Sequence, residues 1–91
     1  MSAQDNTGWR RILYEEIGAL CRVRREGAGI SREEAAFALG YSKQTIARTE
    51  DGMGVTVAYL TAFAQLAKCD VASLIPHIPT TFNRKIGRSE P

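Results

Sequence analysis

Histidine occurs once, at His77, and cysteine twice, at Cys21 and Cys69, in 91 residues. A single histidine excludes a histidine-built metal cluster and a locally spaced catalytic triad. Two distant cysteines supply neither a disulfide framework nor the Cys-x-x-Cys pair of a metal or redox site; each reads as a small buried hydrophobe. No apolar run approaches the roughly 18 residues needed to span a bilayer. The opening residues 1–8 lack a basic stretch followed by an apolar one, so they do not read as a signal peptide. A large excess of one charge is missing too: 12 Lys+Arg stand against 10 Asp+Glu, a net +2. Paired carboxylates in a cleft, a nucleophile with its base, a phosphate loop and a set of metal ligands are all wanting, which argues against an enzyme. The expectation is one soluble, reduced, cytoplasmic domain with no cofactor and no metal.

What is present is enough apolar side chain to fold. A hydrophobic fraction of 44% exceeds that of a chain too polar to offset its own entropy. Residues 1–8 are polar and without periodicity, and read as a flexible N-terminal arm. Residues 9–26 show helical spacing, with Trp9, Ile12, Leu13, Ile17, Leu20 and Val23 on one broad face; Gly27-Ala28-Gly29 ends that helix. Ser31-Arg32-Glu33-Glu34 is a capping box opening a second helix that runs to about Leu39 and closes at Gly40. Ser42 caps a third helix over residues 43–50. Thr56 caps a fourth to about Lys68, with Val57, Leu60, Phe63, Ala64 and Ala67 turned inward. A short fifth helix over residues 71–75 stops at Pro76, and His77 reads as a surface residue. Residues 79–91 form a basic C-terminal tail, in which Arg84, Lys85 and Arg88 can add phosphate contacts or simply keep the tail solvated. The fold class is therefore all-α, a compact five-helix domain over residues 9–78, whose short helices are marginal alone and must be held by packing.

The segment from Arg32 to Thr49 carries the functional signal. Ala36 is small enough to admit a second helix against its backbone. Gly40 turns the chain with positive φ, at a cost of roughly 1–2 kcal/mol to a residue with a β-carbon. Ile46 plugs the core from the next helix. This is the pattern of a helix-turn-helix over about residues 32–50, whose second helix offers its polar face to a DNA major groove.

The strings Ile30-Ser31-Arg32-Glu33-Glu34-Ala35-Ala36, Leu39-Gly40-Tyr41-Ser42 and Thr45-Ile46-Ala47-Arg48-Thr49-Glu50-Asp51-Gly52, continued by Leu60, Ala64 and Leu74, resemble the lambda-repressor/Cro-like (Xre-type) helix-turn-helix family of phage, plasmid and bacterial transcriptional regulators. The resemblance covers about residues 13–76. It implies base reading by Lys43, Gln44 and Ala47 and phosphate contacts near Ser42 and Thr45; Arg48, on the same outward face opposite Ile46 and Thr49, either reads a base or binds phosphate. Lys suits guanine O6/N7, Gln suits adenine N6/N7, and the Ala47 methyl can meet a thymine methyl. Where the family usually has Gln at the start of the second helix, Arg32 stands instead and can clamp a phosphate. Ala35 replaces a usual core Leu while Phe37 occupies a normally exposed position; Phe37 either swings inward to fill the volume, the reading favoured here, or stays exposed at a partner interface. Family members often pair an Arg of the first helix with the Glu closing the recognition helix. That implies Arg24 with Glu50, or Arg25 as a substitute given the long Gly27-Ala28-Gly29 loop.

These readings converge on a DNA-binding transcriptional regulator of the repressor kind, a homodimer with two recognition helices in successive major grooves of a pseudo-palindromic operator, about 34 Å apart. The dimer surface falls to Val71, Leu74, Ile75, Ile78 and Phe82. The alternative is an antitoxin or protein-binding module that neutralises a second protein and binds DNA for autoregulation; exposed Phe37 would favour it. Charge sorts by element: residues 22–48 carry a net +3 and residues 79–91 a net +2, while the rest of the chain is acidic.

Overall fold

The computed structural model describes residues 2–76, with side chains from Gly8 onward. Four α-helices are followed by one 3-10 turn: α1 Ser2–Gly27, α2 Arg32–Leu39, α3 Lys43–Glu50, α4 Val57–Ala67 and the turn Val71–Leu74. No strand occurs among the described residues, in keeping with the all-α class. Two expectations are corrected. The fifth helix is a single 3-10 turn of four residues, because Asp70 offers no side-chain cap there and Pro76 soon follows. The segment read as a flexible arm belongs to α1, which starts at Ser2; polar residues without an apolar stripe can still prolong a helix already nucleated beyond them. Among the described residues no helix is long and apolar enough to cross a membrane.

The caps follow the sequence signals closely. Ser31 Oγ accepts the Glu34 N–H at 3.0 Å while Glu34 Oε1 accepts the Ser31 N–H at 2.8 Å, so the capping box forms in both directions. Ser42 and Thr56 accept from the backbone N–H groups of Thr45 and Tyr59 at the starts of α3 and α4. Gly40 closes α2 at φ 76°, and its N–H returns to the Ala36 carbonyl at 2.9 Å.

The core gathers Ile17 and Cys21 of α1, Ala35 and Ala36 of α2, Ile46 of α3, Tyr59, Leu60, Phe63 and Ala64 of α4, and Leu74. Tyr59 lies between Tyr41, whose ring centroid is 5.2 Å away, and Phe63, at 6.2 Å. The inward face of α1 differs from the apolar stripe read in the sequence. Ile17, Gly18, Cys21 and Arg25 are buried, whereas Ile12 and Val23 stand well exposed. The buried face thus lies about a third of a turn from the stripe's centre. Close approach decides it: a β-carbon on Gly18 would lie 2.4 Å from the Thr49 carbonyl oxygen and 2.7 Å from that of Glu50. Glycine there lets α1 press onto the end of α3. Val57, expected inside, is also exposed at the first turn of α4; Tyr59 takes the inward place.

Candidate nucleic-acid interface

Helix α3 is positioned from both sides. Its inner face buries Ile46, Thr49 and Glu50, with α2 and α1 packed against it. The opposite face leaves Lys43, Gln44 and Arg48 exposed, with Thr45 and Ala47 half-buried along its edges. The expected base-reading residues thus include a lysine, a glutamine and an arginine on the outer face, and a methyl at its margin. Ser42 and Thr45 sit together at the start of the helix, their hydroxyls 3.0 Å apart. The sequence did not signal one contact: Lys43 Nζ donates to Glu33 Oε2 of α2 at 3.3 Å, both side chains largely solvated. Such an exposed pair is worth at most about 1 kcal/mol, so Lys43 can leave it for a stronger partner.

Beneath this face lies an ion network centred on Glu50, with Arg25 and Arg32 on its carboxylate and Glu26, paired with Arg22, 3.9 Å from Arg25 Nη2. Glu50, its side chain 1% exposed, receives Arg25 through two bonds, Nε to Oε2 at 2.6 Å and Nη2 to Oε1 at 3.0 Å. Arg25 Nη1 donates to the Ile30 carbonyl at 2.9 Å, which ties the α1–α2 loop to the same centre. The hydrogen bonds to Glu50 raise the Arg25 pKa above its ordinary value against the opposing effect of burial, so the guanidinium stays charged. Arg32 Nε donates to Glu50 Oε1 at 3.1 Å from a side chain 34% exposed.

Arg24 is therefore corrected as the partner of Glu50. It is exposed, while Arg25 shares the inward face with Gly18 and Cys21. The spacing of Tyr14, Gly18, Cys21 and Arg25 held that signal, but the more apolar stripe beside it masked it. Two further expectations change. Phe37 does not swing inward: it is 92% exposed, and Ala35, fully buried, leaves no gap for it because α2 sits close to its neighbours. Leu74 is buried in the chain's own core and is removed from the proposed dimer surface. Val71 and Ile75 remain partly open, and Ile78, Phe82, His77 and the basic tail lie outside the described residues. Cys21 is fully buried as expected, with Cys69 only half-buried against the core. Among the described residues no three metal-ligating side chains come together.

A short capped helix, a left-handed glycine turn and a second helix with its polar face outward define a helix-turn-helix DNA-binding domain. The chain belongs to that family: the model described as "Helix-turn-helix domain" matches residues 16–74. Its lambda-repressor/Cro-like (Xre-type) character agrees with the solved structures it resembles. The clp gene regulator ClgR from Corynebacterium glutamicum is 26% identical, with 67% of this chain and 66% of that chain covered and a TM-score of 0.65. The restriction-modification controller protein C.AhdI from Aeromonas hydrophila is 22% identical, with 68% and 96% covered and a TM-score of 0.64, a likeness of fold alone. The hydroxypropylphosphonic acid epoxidase from S. wedmorenis matches at 22% identity and TM-score 0.69, over 76% of this chain and 37% of that chain. This chain thus spans well under half the length of the epoxidase, and the likeness is again one of fold. A search of curated protein sequences returns no match.

Proposed function

We propose that the chain reads a specific double-stranded DNA sequence and represses transcription by occupying a pseudo-palindromic operator as a homodimer. The observation that carries this reading is the two-faced α3, with Ile46, Thr49 and Glu50 buried and Lys43, Gln44 and Arg48 presented outward. Lys43 and Gln44 at the first turn face base edges, Ala47 meets a thymine methyl, and Arg48 reaches a base or the adjoining backbone. Arg32, Ser42 and Thr45 hold phosphates. One such helix touches too few bases for useful selectivity, so two copies are needed; Val71 and Ile75 are the described residues offered to that contact. Gel shift on selected and scrambled duplexes tests the reading. Selected sites should bind at least a hundred-fold more tightly, with log affinity falling linearly in log salt. Equal affinity for both duplexes would overturn it.

One observation favours the alternative of an antitoxin-like module with a protein partner: Phe37 stands 92% exposed on α2, with no packing role to account for it. Co-purification of a stoichiometric second protein that is lost with Phe37→Ser would support that role.

A further inference from the structure

Arg25 and Arg32 share the Glu50 carboxylate, Arg25 also lying 3.9 Å from Glu26 Oε2, and the two arginines are engaged very differently. Arg25 is 7% exposed, and each of its three guanidinium nitrogens has an acceptor, two on Glu50 and one on the Ile30 carbonyl. Arg32 is one-third exposed and gives only Nε to Glu50; among the described residues its Nη1 and Nη2 have no hydrogen-bond acceptor. The charge left over after Glu50 is neutralised therefore emerges at the outer edge of Arg32, a planar fork of N–H donors suited to a phosphate. Glu50 itself is too buried to touch a ligand.

We infer that Glu50 is a positioning residue for DNA backbone binding: by holding Arg32 at Nε, it fixes the terminal edge of that guanidinium outward as a phosphate clamp in register with α3. This rests on the DNA-binding reading above and adds a specific cause for the clamp's geometry. Because Glu50 also closes α3, the phosphate anchor and the base-reading helix share one rigid centre. A phosphate supplies the acceptor that the terminal nitrogens of Arg32 lack.

The inference makes a prediction opposite in sign to simple charge counting. Removing a negative charge from a DNA-binding domain should tighten its non-specific binding. If Glu50 positions Arg32, Glu50→Gln instead weakens it. The experiment measures duplex affinity against salt for the wild type, Arg32→Ala, Arg32→Lys, Glu50→Gln and the Glu50→Gln/Arg32→Ala double variant, with folding checked by circular dichroism. Arg32→Ala should weaken all sequences by roughly ten-fold and lower the log–log salt slope by about 0.9, the loss of one phosphate contact. Arg32→Lys, which keeps the charge without the fork, should lose most of that affinity. Glu50→Gln should show the same drop, and the double variant no further one. If Glu50→Gln does not fold, the Arg32→Lys comparison decides alone. Wild-type affinity and slope in Arg32→Lys, or tighter binding by folded Glu50→Gln, would overturn the inference while leaving DNA binding intact. Absence of specific binding by the wild type would instead overturn the function on which it rests.

Discussion

At the residue scale, the contacts that fix this domain are made by its smallest and its charged side chains. Gly18 sets how closely α1 meets α3. A β-carbon at that position would fall 2.4 Å from one backbone oxygen and within 3 Å of a second, and neither can rotate away as a side chain would. Gly18→Ala should therefore destabilise the fold by about 1–3 kcal/mol or more, the cost of overpacking, despite alanine's better helix propensity. A denaturant midpoint at or above the wild-type value would show that the helices are not pressed together there. The ion network obeys a similar logic. Removing one member of a buried pair leaves a stranded charge, at a cost of about 3–5 kcal/mol. Sequence alone suggested a charged anchor for Glu50 but named Arg24 first. The stripe of large apolar residues on α1 pulled the expected inward face towards Leu13 and Leu20, whereas a glycine and a cysteine mark the true one. Small residues at a helix crossing carry little hydrophobic signal, and Arg25 follows them inward because Glu50 offsets its desolvation.

At the element scale, short-range chemistry was legible and long-range packing less so. The boundaries of α2 and α3 agree with their caps because Ser31, Glu34, Gly40 and Ser42 act within a turn or two of themselves. Phe37 was misread because the choice between filling the core and facing solvent depends on how near the neighbouring helices stand. The 3-10 turn over Val71–Leu74 was misread as an α-helix because so short a segment is decided by packing rather than propensity. The α1–α3–α4 junction also has a pH signature. Burial pushes the Cys21 thiol from 9.0 up to about 12, with the Glu50 and Cys69 charges adding to the effect. Burial likewise pushes the Tyr59 phenol from 10.0 to about 12. Both groups ionise first in the unfolded chain, which then binds fewer protons than the folded one. The contribution of these two groups to stability should consequently be constant at neutral pH and be lost progressively between about pH 9 and 12. Urea midpoints across that range check this, and a flat profile would contradict it. Tyr59→Phe should shallow the fall from pH 10 upward with no loss at neutral pH, since among the described residues the buried hydroxyl has no hydrogen-bond partner.

At the scale of the whole molecule, a net charge of +2 conceals a division of labour. Positive charge collects over residues 22–48, where Arg25 is locked inward by Glu50 while Lys43 and Arg48 stand outward on α3. The outward set of Lys43, Gln44 and Arg48 was readable in the sequence because Ile46 and Thr49 fix the rotation of a short helix. Its support was readable only in part: the resemblance offered Arg25 as the second choice for Glu50 but gave no sign of Arg32, which approaches from a different helix. The central claim is that α3 selects a base sequence through Lys43 and Gln44. In vitro selection of binding sites from random duplex DNA tests it most directly, with the wild type, Lys43→Ala and Gln44→Ala run side by side. The wild type should enrich a pseudo-palindromic motif, and each variant should relax preference at a symmetric pair of positions, by about 1–3 kcal/mol at each affected base pair. An unchanged motif from both variants would contradict base reading by these residues.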